Sequence, residues 1–280
     1  MVEMSGKPDK LRLLVIGAHP DDCDVAAGGL AALYARDGHT VKFLSMTNGD
    51  TGHHEIGGGD LARRRYAETQ ASAAVIGIDY DVHDHHCGAL MPSLENRNVV
   101  LRAIRNFRPD LVLTHPPDDY HPDHRYTSVL VQDSAYLVMV PGNLALTPHL
   151  TYNPVYGYMA GTVTVSRSFA PSIFFDVTPV IQKKLDMLCC HTSQWLEWIP
   201  YNQGRLDEVP ETPAEQRRWM IEWWDTRLKP FAEKHRAQLI EQFGPERGSK
   251  IEYAEGIEVC PFGSQVTDAD RARLFPFLKG

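Results

Sequence analysis

Long apolar runs are absent from this 280-residue sequence. The longest, about Leu13–Ala18, is far shorter than the roughly 20 residues that cross a bilayer, so no membrane span is expected. The opening stretch Met1–Lys10 is polar and charged and lacks the apolar core of a signal peptide. We therefore do not expect a secreted or membrane-spanning protein.

Positive charge and paired cysteines are also scarce. The chain has 28 Lys and Arg against 36 Asp and Glu, a net charge of −8, whereas nonspecific nucleic-acid binding depends on a basic surface. Its cysteines number five, an odd count, and form no C-x-x-C pair. We expect no nucleic-acid partner, no disulfide framework, and a reducing, cytoplasmic location.

Strand-like and helix-like segments alternate through the first half of the chain. Strands are predicted over residues 11–17, 40–47, 80–83 and 110–115, and helices over residues 24–36, 61–76, 96–107 and 123–140. This alternation predicts an α/β fold with a Rossmann-like, doubly wound and mostly parallel sheet. In the strand order 3-2-1-4-5 the first and fourth strands are neighbours, and ligands bind at their carboxyl ends.

The second half of the chain has a different character. Residues 141–180 are rich in turn formers and β-branched residues and predict loops and short strands. Further predictions are a helix over Pro179–Leu196, a loop over Pro200–Pro213, a long helix over Ala214–Phe243 and a strand over Ile251–Cys260. With no repeat or linker visible, residues 1–280 are interpreted as one domain. Its core is residues 11–140, and residues 141–280 form a C-terminal elaboration that shapes the pocket.

A first cluster of ionisable residues, Ala18-His19-Pro20-Asp21-Asp22, follows the first predicted strand. Pro20 restricts the local backbone, so the flanking side chains are held in a defined arrangement. His19 and Asp22, three residues apart, can converge on one cation, which leaves Asp21 free for another task. A loop that ends in a helix N-cap at Asp22 or Asp24 explains the pentapeptide equally well.

A second cluster, His121-Pro122-Asp123-His124, follows the fourth predicted strand and repeats this chemistry. Taken alone it is also compatible with a helix N-terminus, where Asp123 favours the helix dipole. Both clusters, however, are predicted at the same edge of the sheet. Two imidazoles and one carboxylate form a three-ligand zinc set with an open position, which is typical of catalytic sites.

These two motifs resemble the PIG-L / LmbE-like family of zinc-dependent de-N-acetylases. The family pattern AHPDD, an acidic residue and Gly-Gly corresponds to AHPDDCDVAAGG at 18–29, with Asp24 where Glu is usual, and HPDH follows at 121–124. The resemblance covers about residues 11–135 and extends more weakly to H-x-S-Q at 191–194. Family members include N-acetylglucosaminyl-phosphatidylinositol deacetylase and amino-sugar deacetylases of thiol biosynthesis.

The resemblance implies roles for six side chains. Zinc, or another divalent metal, would be held by His19, Asp22 and His124. Asp21 would be the general base, and His121 would stabilise the oxyanion, as an imidazolium, or protonate the leaving amine, with Asp123 orienting His121. These roles agree with metal-assisted amide hydrolysis, in which a carboxylate takes a proton as water attacks the polarised carbonyl.

Four further residues are candidate substrate contacts by the same resemblance: Arg65, Asp84, His191 and Gln194. Arg65 falls in an R-x-x-E pattern that a solvated helix face also explains. Asp84 stands near Cys87-Gly88, where family members often have Asp-Gly. Whether Asp84 substitutes for that carboxylate or the contact is missing stays open.

The resulting hypothesis is a zinc-dependent hydrolase that removes acetyl from an N-acetylated amino sugar of the N-acetylglucosamine type, or from a glycoside of one. The alternatives are an LmbE-like amidase of a thiol conjugate, a hydratase of an unsaturated carboxylic acid on the same metal scaffold, and a non-catalytic metal or sugar-binding module. No G-x-G-x-x-G follows a predicted strand, which disfavours a dinucleotide enzyme. The resemblance also implies a homo-oligomer, a trimer or hexamer.

Overall fold

A computed structural model describes residues 10–160 and 169–278. Most of Met1–Lys10, and residues 161–168 of the predicted loop-rich stretch, lie outside these ranges. The described strands form one sheet and are β1 (Arg12–Gly17), β2 (Thr40–Ser45), β3 (Asp79–Val82), β4 (Leu111–Thr114), β5 (Val155–Met159), β6 (Ile173–Asp176) and β7 (Ala254–Gly263).

The α-helices alternate with the strands in the first half and follow one another in the second. They are α1 (Asp22–Arg36), α2 (Gly58–Ile76), α3 (Leu94–Phe107), α4 (Pro122–Leu137), α5 (Ile181–Leu188), α6 (Ile199–Asn202), α7 (Pro213–Lys234), α8 (Arg236–Phe243), α9 (Pro245–Gly248) and α10 (Asp268–Leu274). Short 3-10 turns span Thr178–Val180, Leu206–Glu208 and Pro276–Leu278, and a π-helical segment spans Ser193–Trp198.

The sheet order is β3-β2-β1-β4-β5-β7-β6. Strands β1 to β5 pair in parallel, and β7 pairs antiparallel with both β5 and β6. The predicted α/β fold and its 3-2-1-4-5 order are therefore confirmed, and two further strands extend the sheet, of which β7 runs antiparallel to β1–β5. Because β1 and β4 are parallel neighbours, the loops that leave their carboxyl ends lie side by side.

Strand β1 is buried on both faces, as its continuous apolar run predicts. Leu13 and Val15 pack into one core with α1, while Leu14 and Ile16 pack into another with α3 and α4. Helices therefore cover both faces of the sheet, and the loops at its carboxyl edge rest on a close-packed support.

A buried ion pair, Lys184 and Glu255, forms hydrogen bonds with backbone groups of helix α1 beside its Gly28-Gly29 pair. Glu255 accepts from the N–H groups of Gly29 and Leu30, each at 2.8 Å, and Lys184 Nζ donates to the carbonyl of Val25 at 2.8 Å. A Cβ at Gly29 would lie 2.7 Å from Glu255 Oε1, closer than a Cβ approaches another heavy atom. The glycine at this position is thus required by the approach of Glu255.

Two helices predicted as continuous are interrupted. The predicted helix over Ala214–Phe243 is divided at His235, whose φ of −106° and ψ of 23° lie outside the helical range. Its ring packs against Phe174 and Phe231, with centroids 5.3 and 4.6 Å away. The predicted helix over Pro179–Leu196 ends at Leu188 and resumes as the π-helical segment, a form often found at functional sites.

Within the two described ranges, no helix combines the length and apolar character required to cross a bilayer.

Candidate metal centre

The two His-Pro-Asp motifs meet at the carboxyl edge of the sheet. The first occupies the loop between β1 and α1, and the second closes the loop between β4 and α4. The rings of His19 and His124 come within 5.0 Å of each other, centroid to centroid, although the residues are 105 positions apart in sequence. The parallel pairing of β1 with β4 thus brings both motifs into one site.

Three side chains direct ligand atoms towards a common point, and we call His19, Asp22 and His124 the donor cluster. His19 Nδ1 lies 3.1 Å from His124 Nε2 and 3.3 Å from Asp22 Oδ2, and His124 Nε2 lies 3.5 Å from Asp22 Oδ1. Zinc ligands at about 2.0–2.1 Å in tetrahedral geometry are separated by about 3.3 Å. The spacing of these atoms therefore fits a divalent cation of this size.

The electrostatics of the donor cluster favour its metal-binding forms. Burial alone would raise the pKa of Asp22, but His124, His115 and His19 hold that pKa well below its usual range, so the carboxylate stays ionised. Ionised carboxylate and imidazole nitrogen are ligands that zinc prefers. Two ring nitrogens only 3.1 Å apart share at most one proton, and a cation between them would satisfy both.

In both His19 and His124, the ring nitrogen that faces away from the donor cluster lies next to a buried carboxylate. His19 Nε2 lies 3.2 Å from Asp123 Oδ2, and His124 Nδ1 lies 2.9 Å from Asp119 Oδ1. Both aspartates are fully buried. Such carboxylate–imidazole pairs fix the tautomer and direction of metal-binding histidines. The surroundings of the cluster therefore also match a metal site.

The Asp123 side chain, predicted to orient His121, lies beside His19 instead. The Asp123 carboxylate contacts His19, and only the backbone N–H of Asp123 reaches His121, donating to Nδ1 at 3.1 Å. This follows from local structure, because His121 is the N-cap of α4 and accepts a hydrogen bond from the first turn. The side chain of Asp123 leaves that turn in another direction.

His121 itself lies beside the donor cluster, with its ring 4.5 Å from that of His19. Burial, together with His19 and His124, lowers the pKa of His121 to about 4. The ring is therefore neutral near pH 7 in this environment, where the sequence-based expectation was an imidazolium. A neutral ring still offers an N–H donor.

Asp21 is buried next to the cluster and is held by an arginine. Its Oδ1 lies 3.1 Å from Arg65 Nη2, and the Arg65 side chain is itself only 3% exposed. Burial raises the pKa of Asp21, an effect that Arg65 opposes. Arg65, predicted to contact substrate or solvent, instead fixes this carboxylate. Gly49 permits the approach, because its φ is +72° and a Cβ there would lie 2.6 Å from Arg65 Nη1.

The other predicted substrate contacts occupy three different environments. His191 is completely buried between α5 and the π-helical segment, and its Nε2 lies 3.2 Å from Asp24 Oδ2 of α1. Gln194 is 6% exposed and donates to the Gly52 carbonyl at 3.3 Å. Asp84 is exposed and accepts from Asn48 at 2.7 Å. Gln194 and Asp84 both contact the loop between β2 and α2, which carries Gly49, whereas His191 contacts α1.

Sequence reasoning missed His115 and Asp119 at this site. His115 stacks on His124 with centroids 4.0 Å apart, and its Nε2 lies 3.2 Å from Asp22 Oδ2 and 3.0 Å from the backbone nitrogen of Ala18. His115 was assigned only to the end of the fourth strand. Its position directly before a loop of Pro and Asp residues was the available signal.

A family profile described as "PIG-L: GlcNAc-PI de-N-acetylase" matches residues 14–135. Among relatives, a diacetylchitobiose deacetylase of Thermococcus kodakarensis is 29% identical over 211 residues, 69% of this chain and 75% of that protein. A 4-oxalmesaconate hydratase of Pseudomonas putida is 25% identical over 207 residues, 69% of this chain and 78% of that protein.

Similarity in structure extends over nearly the whole chain. The crystal structure of a 4-carboxy-2-hydroxymuconate hydratase from Pseudomonas putida superposes with a TM-score of 0.73 at 20% sequence identity. The match covers 92% of this chain and 98% of that one. At this level of identity the match establishes the fold and leaves the chemistry to the site.

Proposed function

Since residues 14–135 of this chain belong to the PIG-L family, we propose that the protein is a metal-dependent hydrolase that removes the acetyl group from an N-acetylated amino sugar. The observation that carries the proposal is the donor cluster, in which two imidazole nitrogens and a carboxylate from distant motifs converge at 3.1–3.5 Å. Zinc is the metal we propose, because the set of nitrogen and oxygen donors and their spacing suit it.

The buried carboxylate beside the cluster supports a hydrolytic role. A divalent cation held by His19, Asp22 and His124 would supply Lewis acidity towards an amide carbonyl and ease deprotonation of water. Asp21 would accept the proton of the attacking water and pass it on to the leaving amine. Arg65, at 3.1 Å, would keep Asp21 oriented through both transfers.

His121 is our candidate for the group opposite Asp21. From its position beside His19, a ring N–H would stabilise negative charge on the carbonyl oxygen or assist departure of the amine. Asp123 would act on His19, holding the ring in the tautomer that presents Nδ1 to the cluster. We retain Gln194 as a candidate substrate contact and assign Arg65 and His191 to positioning.

The substrate class is proposed from the relatives. The Thermococcus kodakarensis protein is named a diacetylchitobiose deacetylase, so an N-acetylglucosamine-type sugar or glycoside is our leading substrate. The Pseudomonas putida relative, named 4-oxalmesaconate hydratase, favours a second candidate, hydration of an unsaturated carboxylic acid. Both reactions need an activated water and stabilisation of developing negative charge.

One experiment separates these two activities. The metal-depleted protein is reconstituted with zinc and incubated with N-acetylglucosamine and diacetylchitobiose, and new primary amines and acetate are measured. We expect amine and acetate in equal amounts, released only when metal is present. Loss of ultraviolet absorbance from an unsaturated dicarboxylic acid, without any amine release from the sugars, would favour the hydratase instead. An Asp21→Asn variant loaded with zinc is the control for residual contaminating activity.

Compartment and assembly are also proposals. All five cysteines lie within the described ranges and are free thiols, which supports a cytoplasmic location. We propose a single domain in which residues 141–280 shape the pocket, because Gln194 reaches the Gly52 loop from that half of the chain. The family resemblance supports a homo-oligomer, which light scattering on the purified protein would test.

A further inference from the structure

A cysteine, Cys87, lies against the donor cluster. One nitrogen of His19, the sulfur of Cys87 and one carboxylate oxygen of Asp123 all lie within 4.8 Å of one another. His19 turns its Nε2 towards Asp123 at 3.2 Å, while its Nδ1 belongs to the donor cluster. The three side chains therefore surround a point next to the cluster and separate from its centre.

The backbone around Cys87 is anchored in this position. The Cys87 N–H donates to Asp50 Oδ1 at 3.0 Å, and the next N–H, of Gly88, donates to Asp123 Oδ2 at 2.6 Å. Gly88 adopts a φ of +84°, a conformation that favours glycine. The turn thus holds the half-buried thiol of Cys87 against the Asp123 carboxylate.

Among the described residues, the Asp123 carboxylate accepts hydrogen bonds through Oδ2 and not through Oδ1. Asp123 is fully buried, and within residues 10–160 and 169–278 its Oδ1 has no hydrogen-bond partner. An unpaired buried carboxylate oxygen is costly, and a cation would satisfy it. This orphaned oxygen is a second observation, independent of the thiol, that points to a ligand.

We propose that Cys87, Asp123 and His19 form a second cation site for a thiophilic divalent metal, such as zinc supplied in excess. Thiolate, carboxylate and imidazole are all zinc ligands, and the sulfur adds selectivity for soft metals. Ligand atoms around one zinc lie about 3.3–3.8 Å apart, so rotation of the half-buried Cys87 side chain completes the set. A cation at this point would displace the Cys87 thiol proton, and His19 would present Nε2 to it and Nδ1 to the donor cluster.

If the proposed function holds, occupation of this site would also affect catalysis. The second cation would take the Asp123 carboxylate away from His19 and would lie close to His121. Excess zinc would therefore inhibit acetate release, and a Cys87→Ser variant would tolerate more zinc before losing activity. We expect the inhibitory zinc concentration to rise about tenfold or more in that variant.

Binding is tested without any activity assay, by titrating the metal-depleted protein with Co²⁺. The first equivalent should fill the donor cluster and give no thiolate-to-cobalt charge-transfer absorption in the near ultraviolet. The second should add that absorption, and Cys87→Ser should lose it while keeping the first equivalent. A Cys189→Ser variant, which removes another half-buried thiol, should behave like the unmodified protein.

A measurement on the unmodified protein covers the case in which the variant fails to fold. Peptide mapping after iodoacetamide treatment should show that a second equivalent of Zn²⁺ slows alkylation of Cys87 and leaves Cys189 unaffected. A second equivalent that binds without thiolate absorption, or that leaves Cys87 equally reactive, would overturn the proposed site. If the protein binds both equivalents as described but releases no acetate, the proposed function fails and the second site stands.

Discussion

Helix α1 is flanked by two buried clusters of charged side chains that differ in how completely their atoms are paired. Along its middle, Glu255 accepts from two backbone N–H groups, while Lys184 donates to Val25 at 2.8 Å and to Glu255 at 2.5 Å. At its start, the donor cluster brings two imidazole nitrogens to 3.1 Å from each other. The polar atoms of the ion pair are matched by protein partners, whereas the donor cluster directs two imidazole nitrogens and a carboxylate towards one another.

The pairing of buried polar atoms distinguishes a cluster that stabilises the fold from one that binds a ligand. A pair whose donors and acceptors all find protein partners stabilises the fold and needs nothing more. Beside the donor cluster, Asp119 Oδ2 and Asp123 Oδ1 have no hydrogen-bond partner among the described residues. Convergent ligand atoms with unpaired neighbours indicate a site that is completed by a ligand.

The largest effect that the comparison predicts is on metal binding by the donor cluster. His124→Ala removes one of three ligands, and the protein should keep less than about a tenth of an equivalent of zinc after dialysis and lose measurable acetate release. Elemental analysis and the acetate assay measure the two effects. His149→Ala, at an exposed histidine, should retain a full equivalent. Full zinc content in His124→Ala would remove His124 from the metal site.

The next effect separates catalysis from metal binding. Asp21→Asn should keep one equivalent of zinc, because Asp21 is outside the donor cluster, and should lower kcat by about 10²–10⁴-fold. Steady-state kinetics on a diacetylated sugar check this, alongside Asp207→Asn, which alters an exposed carboxylate and should change kcat less than about twofold. Normal turnover in Asp21→Asn would exclude Asp21 as the general base.

The ion pair should show the opposite pattern, a loss of stability with intact metal binding. Glu255→Ala leaves Lys184 buried and unpaired, which should lower the free energy of unfolding by about 3–5 kcal/mol. Urea denaturation measures this, and Glu252→Ala, at an exposed glutamate nearby, is the matched control. If Glu255→Ala kept its stability and lost zinc, the ion pair would contribute to metal binding rather than to the fold, which would contradict the distinction between the two clusters.

The smallest of these effects concerns His115. His115→Phe keeps a ring stacked on His124 but removes the nitrogen near Asp22 and Ala18, so zinc affinity should fall about 10–100-fold. Competition with a chromogenic chelator measures the affinity, with His83→Phe as a control at a half-buried histidine directly after β3. Equal affinities would mean that His115 serves in packing alone.

Much of the fold and the meeting of the two His-Pro-Asp motifs followed from local sequence patterns, whereas the choice of His19, Asp22 and His124 as ligands came from the family resemblance. Apolar runs separated by helices predicted the parallel strands, and the position of both His-Pro-Asp motifs after strands β1 and β4 predicted that they meet. These inferences succeed because parallel strands place equivalent loops at one edge. The spacing within each motif then limits which side chains converge.

The errors share one physical origin, since each depended on a contact from a distant element. Nothing near Arg65 in sequence indicates that it binds Asp21, and the contact of His191 with Asp24 of α1 joins residues 167 positions apart. At the helix break, the ring of His235 packs on Phe174, which lies 61 residues earlier. A sequence pattern reflects the environment of a single helix or strand, whereas these roles depend on contacts between residues of different elements.

X-ray absorption at the zinc edge, on protein loaded with one equivalent, tests the central claim most directly. The account predicts two imidazole nitrogens and oxygen ligands at about 2.0–2.2 Å, without sulfur, and loss of one imidazole in His124→Ala. A sulfur ligand at about 2.3 Å in the first equivalent, or an unchanged spectrum in that variant, would contradict it.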